Sequence, residues 1–194
     1  GKFLHDNDIA LDDVERVMLT GVGAAYINSP IYGLTTQKVE EFIADGLGAA
    51  FESKLNRMIV VSMGTGTSLV SYQDGAIRHL GGIGIGGGTL NGLSRLLLQT
   101  DDIKQISQMA LDGDITHINL SIGDISAHPL PGLPMDATAS LFANAQGNAS
   151  REDIAKGLIC MVLQAIGSAS ILSSLNSGIR DFVLIGNLSR LPQC

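Results

Sequence analysis

Aromatic side chains are scarce in this 194-residue chain, at 4% of residues, and only 16% of residues are charged. A surface that stacks the bases of nucleic acid needs aromatic rings, so this scarcity argues against such a surface. The net charge is -7, and the sequence contains no basic stripe or polybasic patch that would follow a nucleic-acid backbone or an anionic membrane. We therefore expect neither nucleic acid nor a membrane as a partner.

Cysteine, histidine and long apolar runs are also limited. The two cysteines, Cys160 and Cys194, lie far apart and match no metal or redox spacing, which favours a reducing, cytoplasmic setting. The four histidines are scattered, and no pair has ligand spacing with a carboxylate or a thiol, so we expect no metal site built from side chains alone. We also expect no signal peptide, and no apolar run that reaches the length of a membrane span.

Glycine is abundant, with 24 residues, and two glycine clusters organise the chain. GTGTS occupies residues 64 to 68, and GGIGIGGG occupies residues 81 to 88. Between them, Gln73-Asp74-Gly75 is flanked by β-forming residues, which predicts a hairpin. The second cluster leads into a helix from Thr89, so we predict unpaired backbone N–H groups at the positive end of a helix dipole. Such a place binds phosphate.

This phosphate site differs from two common nucleotide-binding types. The sequence contains no Gly-x-x-x-x-Gly-Lys-Ser/Thr motif, and no lysine lies inside the glycine clusters. Residues 84 to 88 match a dinucleotide-binding motif only loosely, and they follow a predicted hairpin instead of the first strand of a βαβ unit. The first observation excludes a P-loop, and the second argues against a Rossmann site.

Two adjacent acids, Glu40 and Glu41, precede a predicted helix that is rich in alanine and glycine and that we expect to pack closely. One interpretation is an acidic first turn that is stabilised by the helix dipole. The other places one glutamate in a cleft as a general base. The residues alone leave both interpretations open.

The rest of the chain reads as alternating strands and helices. We predict buried strands at 17–21 and 182–187, a short strand at 118–122, the end of an acidic helix at 11–16, and helices at 101–111, from 136, and at 150–175. The last of these begins with a capping box at Ser150. An irregular stretch at 123–136 suits either a flap over a cleft or a plain surface loop. We place a domain boundary at Arg57, which divides the chain into 1–57 and 58–194.

The glycine clusters, together with Val39-Glu40-Glu41-Phe42, resemble motifs of the type II pantothenate kinases. The resemblance extends to residues 17–21, Pro131-Gly132-Leu133-Pro134, 138–140 and Ile185-Gly186-Asn187-Leu188, and so covers most of the chain. It implies an α/β fold of the actin-like ATPase (ribonuclease H-like) type, represented by part of the first lobe and most of the second. It also implies ATP-dependent phosphorylation of the primary hydroxyl of pantothenate, the first step toward coenzyme A.

Site residues follow from this resemblance position by position. Glu41 matches the catalytic carboxylate that accepts the hydroxyl proton. Nucleotide contacts are implied at Gly64, Thr65, Gly66, Gly86, Gly87, Gly88, Thr89 and Asn187. Acceptor contacts are implied at Thr67 and at either Arg78 or His79, where some members have an arginine. Mg²⁺ would come with the nucleotide, largely hydrated.

The sequence departs from the family pattern at both ends. No aspartate-bearing glycine hairpin occurs near the start, and no final helix follows the last strand, so we expect a fragment with little kinase activity of its own. Three alternatives stay open: another kinase of the superfamily, such as an N-acetylhexosamine kinase, an ATPase activator, or a non-catalytic assembly domain. The apolar helix at 150–175 favours a homodimer.

Overall fold

The computed structural model describes residues 1–194 and contains six α-helices and eight β-strands. The helices are α1 (Lys2–Asp6), α2 (Glu41–Ser53), α3 (Gly87–Leu98), α4 (Ile103–Asp112), α5 (Ile122–Ile125) and α6 (Arg151–Ser174). The strands are β1 (Val17–Leu19), β2 (Thr36–Lys38), β3 (Arg57–Met63), β4 (Thr67–Gln73), β5 (Ala76–Ile83), β6 (Leu120–Ser121), β7 (Thr138–Ser140) and β8 (Phe182–Ile185). Short 3-10 turns, among them Ile115–His117 and Asn187–Arg190, connect these elements.

A four-stranded mixed sheet in the order β5-β4-β3-β8 forms the middle layer. Strand β3 pairs antiparallel with β4 and parallel with β8, in a register that places Ile59 opposite Phe182. Met58, Ile59, Val60 and Val61 are all 0% exposed. A continuous apolar run of this kind suits a strand that is covered on both faces.

The predicted hairpin between the glycine clusters is confirmed. Strands β4 and β5 pair antiparallel across Asp74 and Gly75, whose φ angles are 47° and 91°. Two consecutive residues with positive φ are typical of the two-residue turn that matches the twist of paired strands. Asp-Gly is therefore at this position because both residues tolerate that backbone conformation.

Helix α2 covers one face of the sheet. Its Ala49 is buried in a cluster with Met58, Val60 and Val70. A methyl group added at Gly46 would lie 3.1 Å from the side chain of Ile77, so the small residues of this helix do permit close packing. Helix α2 precedes the domain boundary predicted at residue 57 and packs on the sheet that follows it.

Helices α3, α4 and α6 cover the other face, and α6 carries the centre of the larger core cluster. Its first turn is closed as predicted: the Ser150 hydroxyl accepts the Asp153 N–H at 3.0 Å, and the Asp153 carboxylate accepts the Ser150 N–H at 3.2 Å. By length and composition alone, α6 is long and apolar enough to cross a membrane. The expectation that no apolar run reaches this length was therefore wrong. Leu158, Val162 and Ile166 of α6 are buried in the larger core cluster, so α6 packs as a helix of the core.

Three local predictions were wrong. Residues 138–140 form strand β7 and pair with β6, instead of opening a helix after Asp136. The strand predicted at 118–122 is only Leu120–Ser121, because the Ser121 side chain caps helix α5. The acidic segment ends in a 3-10 turn at Leu11–Asp13 and not in an α-helix.

Candidate functional site

The turn Gly64-Thr65-Gly66 connects β3 to β4 at one end of the central sheet. Strand β5 runs back to the same end of the sheet and ends at Ile83. The rest of the second glycine cluster then leads into helix α3, which starts at Gly87. The two glycine segments, separated by about twenty residues in the chain, are therefore adjacent in space. This adjacency is a consequence of the β4–β5 hairpin.

Hydrogen bonds join the two glycine segments directly. The Gly87 N–H donates to the Gly64 carbonyl at 2.8 Å, and the Gly88 N–H donates to the Thr65 carbonyl at 2.9 Å. The expectation that the amides at the start of the helix are unpaired was therefore wrong for these two residues. These bonds hold the turn Gly64-Thr65-Gly66, which we call the hairpin turn, in place.

Close approach explains why these positions are glycine. A methyl group at Gly86 would lie 2.7 Å from the Thr65 carbonyl oxygen, and one at Gly88 would lie 2.7 Å from Thr65 Cγ2. Real Cβ atoms do not come this close to other heavy atoms. Glycine at these positions therefore permits the close contact between the two segments.

The threonine hydroxyls of the site have partners inside the chain. Thr67 Oγ1 donates to the Ile85 carbonyl at 2.8 Å, and Thr89 Oγ1 donates to the Gly84 carbonyl at 3.1 Å. The Gly86 N–H donates to Thr89 Oγ1 at 3.3 Å. Both side chains close the glycine loop, so their predicted ligand contacts compete with these internal bonds and stay predictions.

A cleft of about 770 Å³ opens beside this junction, and we call it the glycine cleft. Its wall includes five residues predicted to contact nucleotide: Gly64, Thr65, Gly87, Gly88 and Asn187. Asn187 reaches it because Gly186, with φ of 93°, lets the end of β8 press against β3. A methyl group at Gly186 would lie 2.4 Å from the Met63 carbonyl oxygen. The volume is in the range of small-molecule and cofactor pockets.

A second cleft, of about 430 Å³, lies on the other side of the hairpin turn, and we call it the Glu41 cleft. Glu41, the first residue of α2, lines it together with Thr67, Gly66 and His79. The Glu41 carboxylate forms no ion pair and accepts no side-chain hydrogen bond within the chain. Gly64 and Thr65 line both clefts, so the hairpin turn is their common wall.

The structure distinguishes the two residues proposed to hold the acceptor. Neighbouring residues of a strand point to opposite faces of the sheet. His79 lines the Glu41 cleft, and its ring stacks on Phe42 with centroids 5.6 Å apart and planes at 23°. Arg78 is exposed and lies outside that cleft. Of the two residues, only His79 is placed beside Glu41.

Three polar residues of the glycine cleft were missed by sequence reasoning: Asn91, Lys104 and Arg190. Asn91 could have been found, because it follows Gly88 by three residues and so shares a helix face with it. Lys104, at the start of α4, carries no such signal. The irregular stretch at 123–136 contributes no residue to either cleft, so the structure supports a surface segment there and not a flap.

A separate polar cluster surrounds the first turn of α6, away from both clefts. The Asp153 carboxylate, 6% exposed, accepts the Asp114 N–H at 2.6 Å and contacts His117 Nδ1 at 3.0 Å. The Asp114 N–H is the main cause that holds the pKa of Asp153 well below its usual range. The hydrogen bond to Asp153 raises the pKa of His117. These contacts anchor the turn Ile115–His117 to α6.

Comparisons with known proteins identify the family of the chain and its fold. A family model described as Fumble matches residues 50–193. Type II pantothenate kinases of Staphylococcus aureus, strains USA300 and COL, are each 33% identical over 159 residues, which is 79% of this chain and 59% of the relative. The chain therefore spans less than two thirds of the length of these curated relatives.

Among solved structures, a xylulose kinase from Rhodospirillum rubrum matches with a TM-score of 0.56 and 17% identity. The match covers 82% of this chain and 36% of that one. A likeness at this identity shows the fold, and it confirms the predicted α/β class with the actin-like ATPase fold.

Proposed function

The chain belongs to the Fumble family of type II pantothenate kinases, and from that premise we propose that the whole protein transfers the γ-phosphoryl group of ATP to pantothenate. The product is 4'-phosphopantothenate, the first intermediate of coenzyme A synthesis. One observation carries the proposal: two clefts share the Gly64–Thr65 turn as a wall. ATP occupies the glycine cleft, pantothenate occupies the Glu41 cleft, and the phosphoryl group passes at the turn.

Glu41 acts as the general base in this proposal. Its carboxylate has no partner in the chain and lines the cleft that also contains the hairpin turn. It accepts the proton of the primary hydroxyl as the hydroxyl oxygen attacks the γ-phosphorus and the bond to the β-phosphate oxygen breaks. Phosphoryl transfer depends mainly on positioning and charge stabilisation, so one base and a set of polar groups suffice.

The nucleotide brings Mg²⁺ with it in this proposal. The oxygens of Thr65 and Asn187 line the glycine cleft, and neutral oxygens of this kind suit a hydrated Mg²⁺ ion. Thr65 and Asn187 would hold the hydrated ion, which would supply positive charge to offset the charge of the phosphates. Thr65 and Asn187 orient the nucleotide at the end of the cleft nearest the hairpin turn.

We also propose that the whole protein is a cytoplasmic homodimer. Helix α6 exposes Ile171 and Leu172 at 58% and 66%, and Leu175 follows at 66%. An apolar strip of this kind favours burial against a second copy of the chain. Both cysteines are free, which agrees with a reducing compartment. Sedimentation velocity of the whole protein tests the dimer.

Product formation by the whole protein tests the proposed reaction. The protein is incubated with ATP and Mg²⁺ and with pantothenate, N-acetylglucosamine or no acceptor. ADP and phosphorylated product are then quantified by mass spectrometry. We expect product with pantothenate and little ADP without an acceptor. Phosphorylation of the hexosamine alone would overturn the acceptor, and equal ADP release without any acceptor would indicate an ATPase.

A further inference from the structure

We propose that Lys104 and Asn91 position the nucleotide in the glycine cleft, Lys104 by binding a phosphate and Asn91 by accepting a hydrogen bond from the nucleoside. Neither residue belongs to the glycine motifs. The inference rests on the proposed function, because it takes ATP as the ligand of that cleft. The inference adds two residues to the site, Asn91 from α3 and Lys104 from α4.

Asn91 has a buried oxygen that lacks a donor. Its Oδ1 atom is buried and has no hydrogen-bond partner in the chain, while the residue lines the glycine cleft. In the proposed role the Asn91 amide turns toward the cleft when the nucleotide binds, so that Oδ1 meets a donor of the ligand. A buried acceptor without a donor is unfavourable, and such a group calls for a partner from outside the chain, such as a ligand, an ion or a water molecule. The ribose hydroxyls and the amino group of the base are donors that a ribonucleotide offers.

Lys104 has an ammonium group without a partner. It makes no ion pair and donates no hydrogen bond in the chain, while its backbone N–H donates to the Asp102 side chain at 2.9 Å. Lys104 is in the first turn of α4, where the helix dipole disfavours a cation. An anionic ligand would reverse that unfavourable interaction.

The surroundings of Lys104 in the glycine cleft suit a phosphate. It shares the glycine cleft with Gly87 and Gly88, and Arg190 lines the same cleft as a second cation. The chain as a whole has a net charge of -7, so two cations that line one cleft set it apart from the rest of the surface. A local positive potential attracts the triphosphate of ATP.

Nucleotide binding to the whole protein tests the pair by calorimetry with ATP, ADP and adenosine. In Lys104→Met the dissociation constants for ATP and ADP rise about tenfold, while that for adenosine is unchanged. Asn91→Leu weakens all three ligands by a similar factor. Because it removes an unpaired buried oxygen, it leaves the thermal midpoint unchanged or higher. Lys2→Met is the control: it removes the same charge from α1, outside the cleft.

The outcomes separate this inference from the proposed function. Nucleotide affinities in Lys104→Met equal to those of Lys2→Met overturn the role of Lys104. A lower thermal midpoint of Asn91→Leu with unchanged affinity overturns the role of Asn91, since it indicates a purely structural contact. A wild-type protein that binds no nucleotide overturns the proposed function and this inference with it.

Discussion

At the scale of single residues, Glu41 and His79 are the two ionisable side chains that line the Glu41 cleft, where we propose that the acceptor binds. The His79 ring is fixed by its stack on Phe42, the residue next to Glu41. An aromatic stack of this kind is favourable, and it holds the His79 ring beside the cleft that it lines. We therefore expect His79 to contact the acceptor and Arg78 to have no part in binding.

Separate substitutions of His79 and Arg78 by alanine test that expectation. His79→Ala in the whole protein is expected to raise KM for pantothenate about tenfold, with a smaller change in kcat and in KM for ATP. Arg78→Ala is the matched control, because Arg78 lies outside the cleft. Steady-state kinetics measure both. A larger increase in KM in Arg78→Ala than in His79→Ala would contradict the assignment.

Single residues also show where sequence reasoning reaches its limit. Glycine and threonine in a phosphate-binding pattern have the same sequence signature whether they contact a ligand or another loop. Gly88 and Thr89 were predicted as ligand contacts, yet the Gly88 N–H donates to Thr65 and the Thr89 hydroxyl donates to Gly84. The difference depends on which carbonyls come near in space, and the local sequence does not specify that.

At the scale of secondary-structure elements, the bonds between the hairpin turn and the start of α3 hold both clefts in shape. The turn is the common wall of the clefts, and it has no helix or strand residues of its own. Its position depends on the amides of Gly87 and Gly88. A change that separates the two segments is expected to weaken both ligands together.

Gly88→Ala makes that separation. The new methyl group would lie 2.7 Å from Thr65 Cγ2 and 3.0 Å from the Thr65 carbonyl oxygen. We expect a loss of about 1–3 kcal/mol in the free energy of unfolding, as is typical of overpacking, and weaker ATP binding. Urea denaturation and calorimetry measure the two effects. Gly84→Ala is the control, since no atom lies within 4 Å of its added methyl group; equal losses in both variants would contradict the explanation.

The first turn of α6 predicts a pH dependence of stability. The pKa of Asp153 is lowered in the folded chain, so its contribution is present above about pH 4 and is lost as the pH falls below that value. The pKa of His117 is raised by Asp153. Its contribution is therefore present below about pH 6.5 and is lost as the pH rises through the folded pKa.

His117→Ala separates these two contributions. The variant is expected to be less stable than the wild type between about pH 4.5 and 6, and the difference should shrink as the pH rises through the raised pKa of His117, where the imidazole loses its charge. Asp114 also faces His117, with its carboxylate 4.0 Å from Nε2, and adds to the attraction at low pH. Urea denaturation across the pH range measures the difference. A difference that is constant with pH would contradict a charge-dependent contact.

Elements with local signals were predicted well, and elements that depend on distant partners were not. The Asp74-Gly75 hairpin and the Ser150 cap are each determined by residues close together in the sequence, and both are present. Strand β7 was predicted as the start of a helix because its pairing partner, β6, lies about twenty residues earlier. Nothing in residues 136–140 themselves indicates that pairing.

At the scale of the whole molecule, the two clefts arise where several elements end together. The end of β3, the start of α3, the start of α4 and the turn after β8 all contribute to the glycine cleft. Family resemblance predicted the fold and the glycine motifs of this cleft. It did not identify Asn91, although Asn91 shares a helix face with Gly88. It did not identify Lys104 either, because the place of Lys104 in the wall depends on how α4 is oriented at the sheet end.

The central claim is that phosphoryl transfer takes place between the two clefts, with Glu41 as the base on the acceptor side. Glu41→Gln keeps the size of the side chain and removes its ability to accept a proton. The most direct measurement is kcat for phosphopantothenate formation by this variant of the whole protein, together with its dissociation constant for ATP. We expect kcat to fall about 10²–10⁴-fold while ATP binds as in the wild type. An unchanged kcat would contradict the claim.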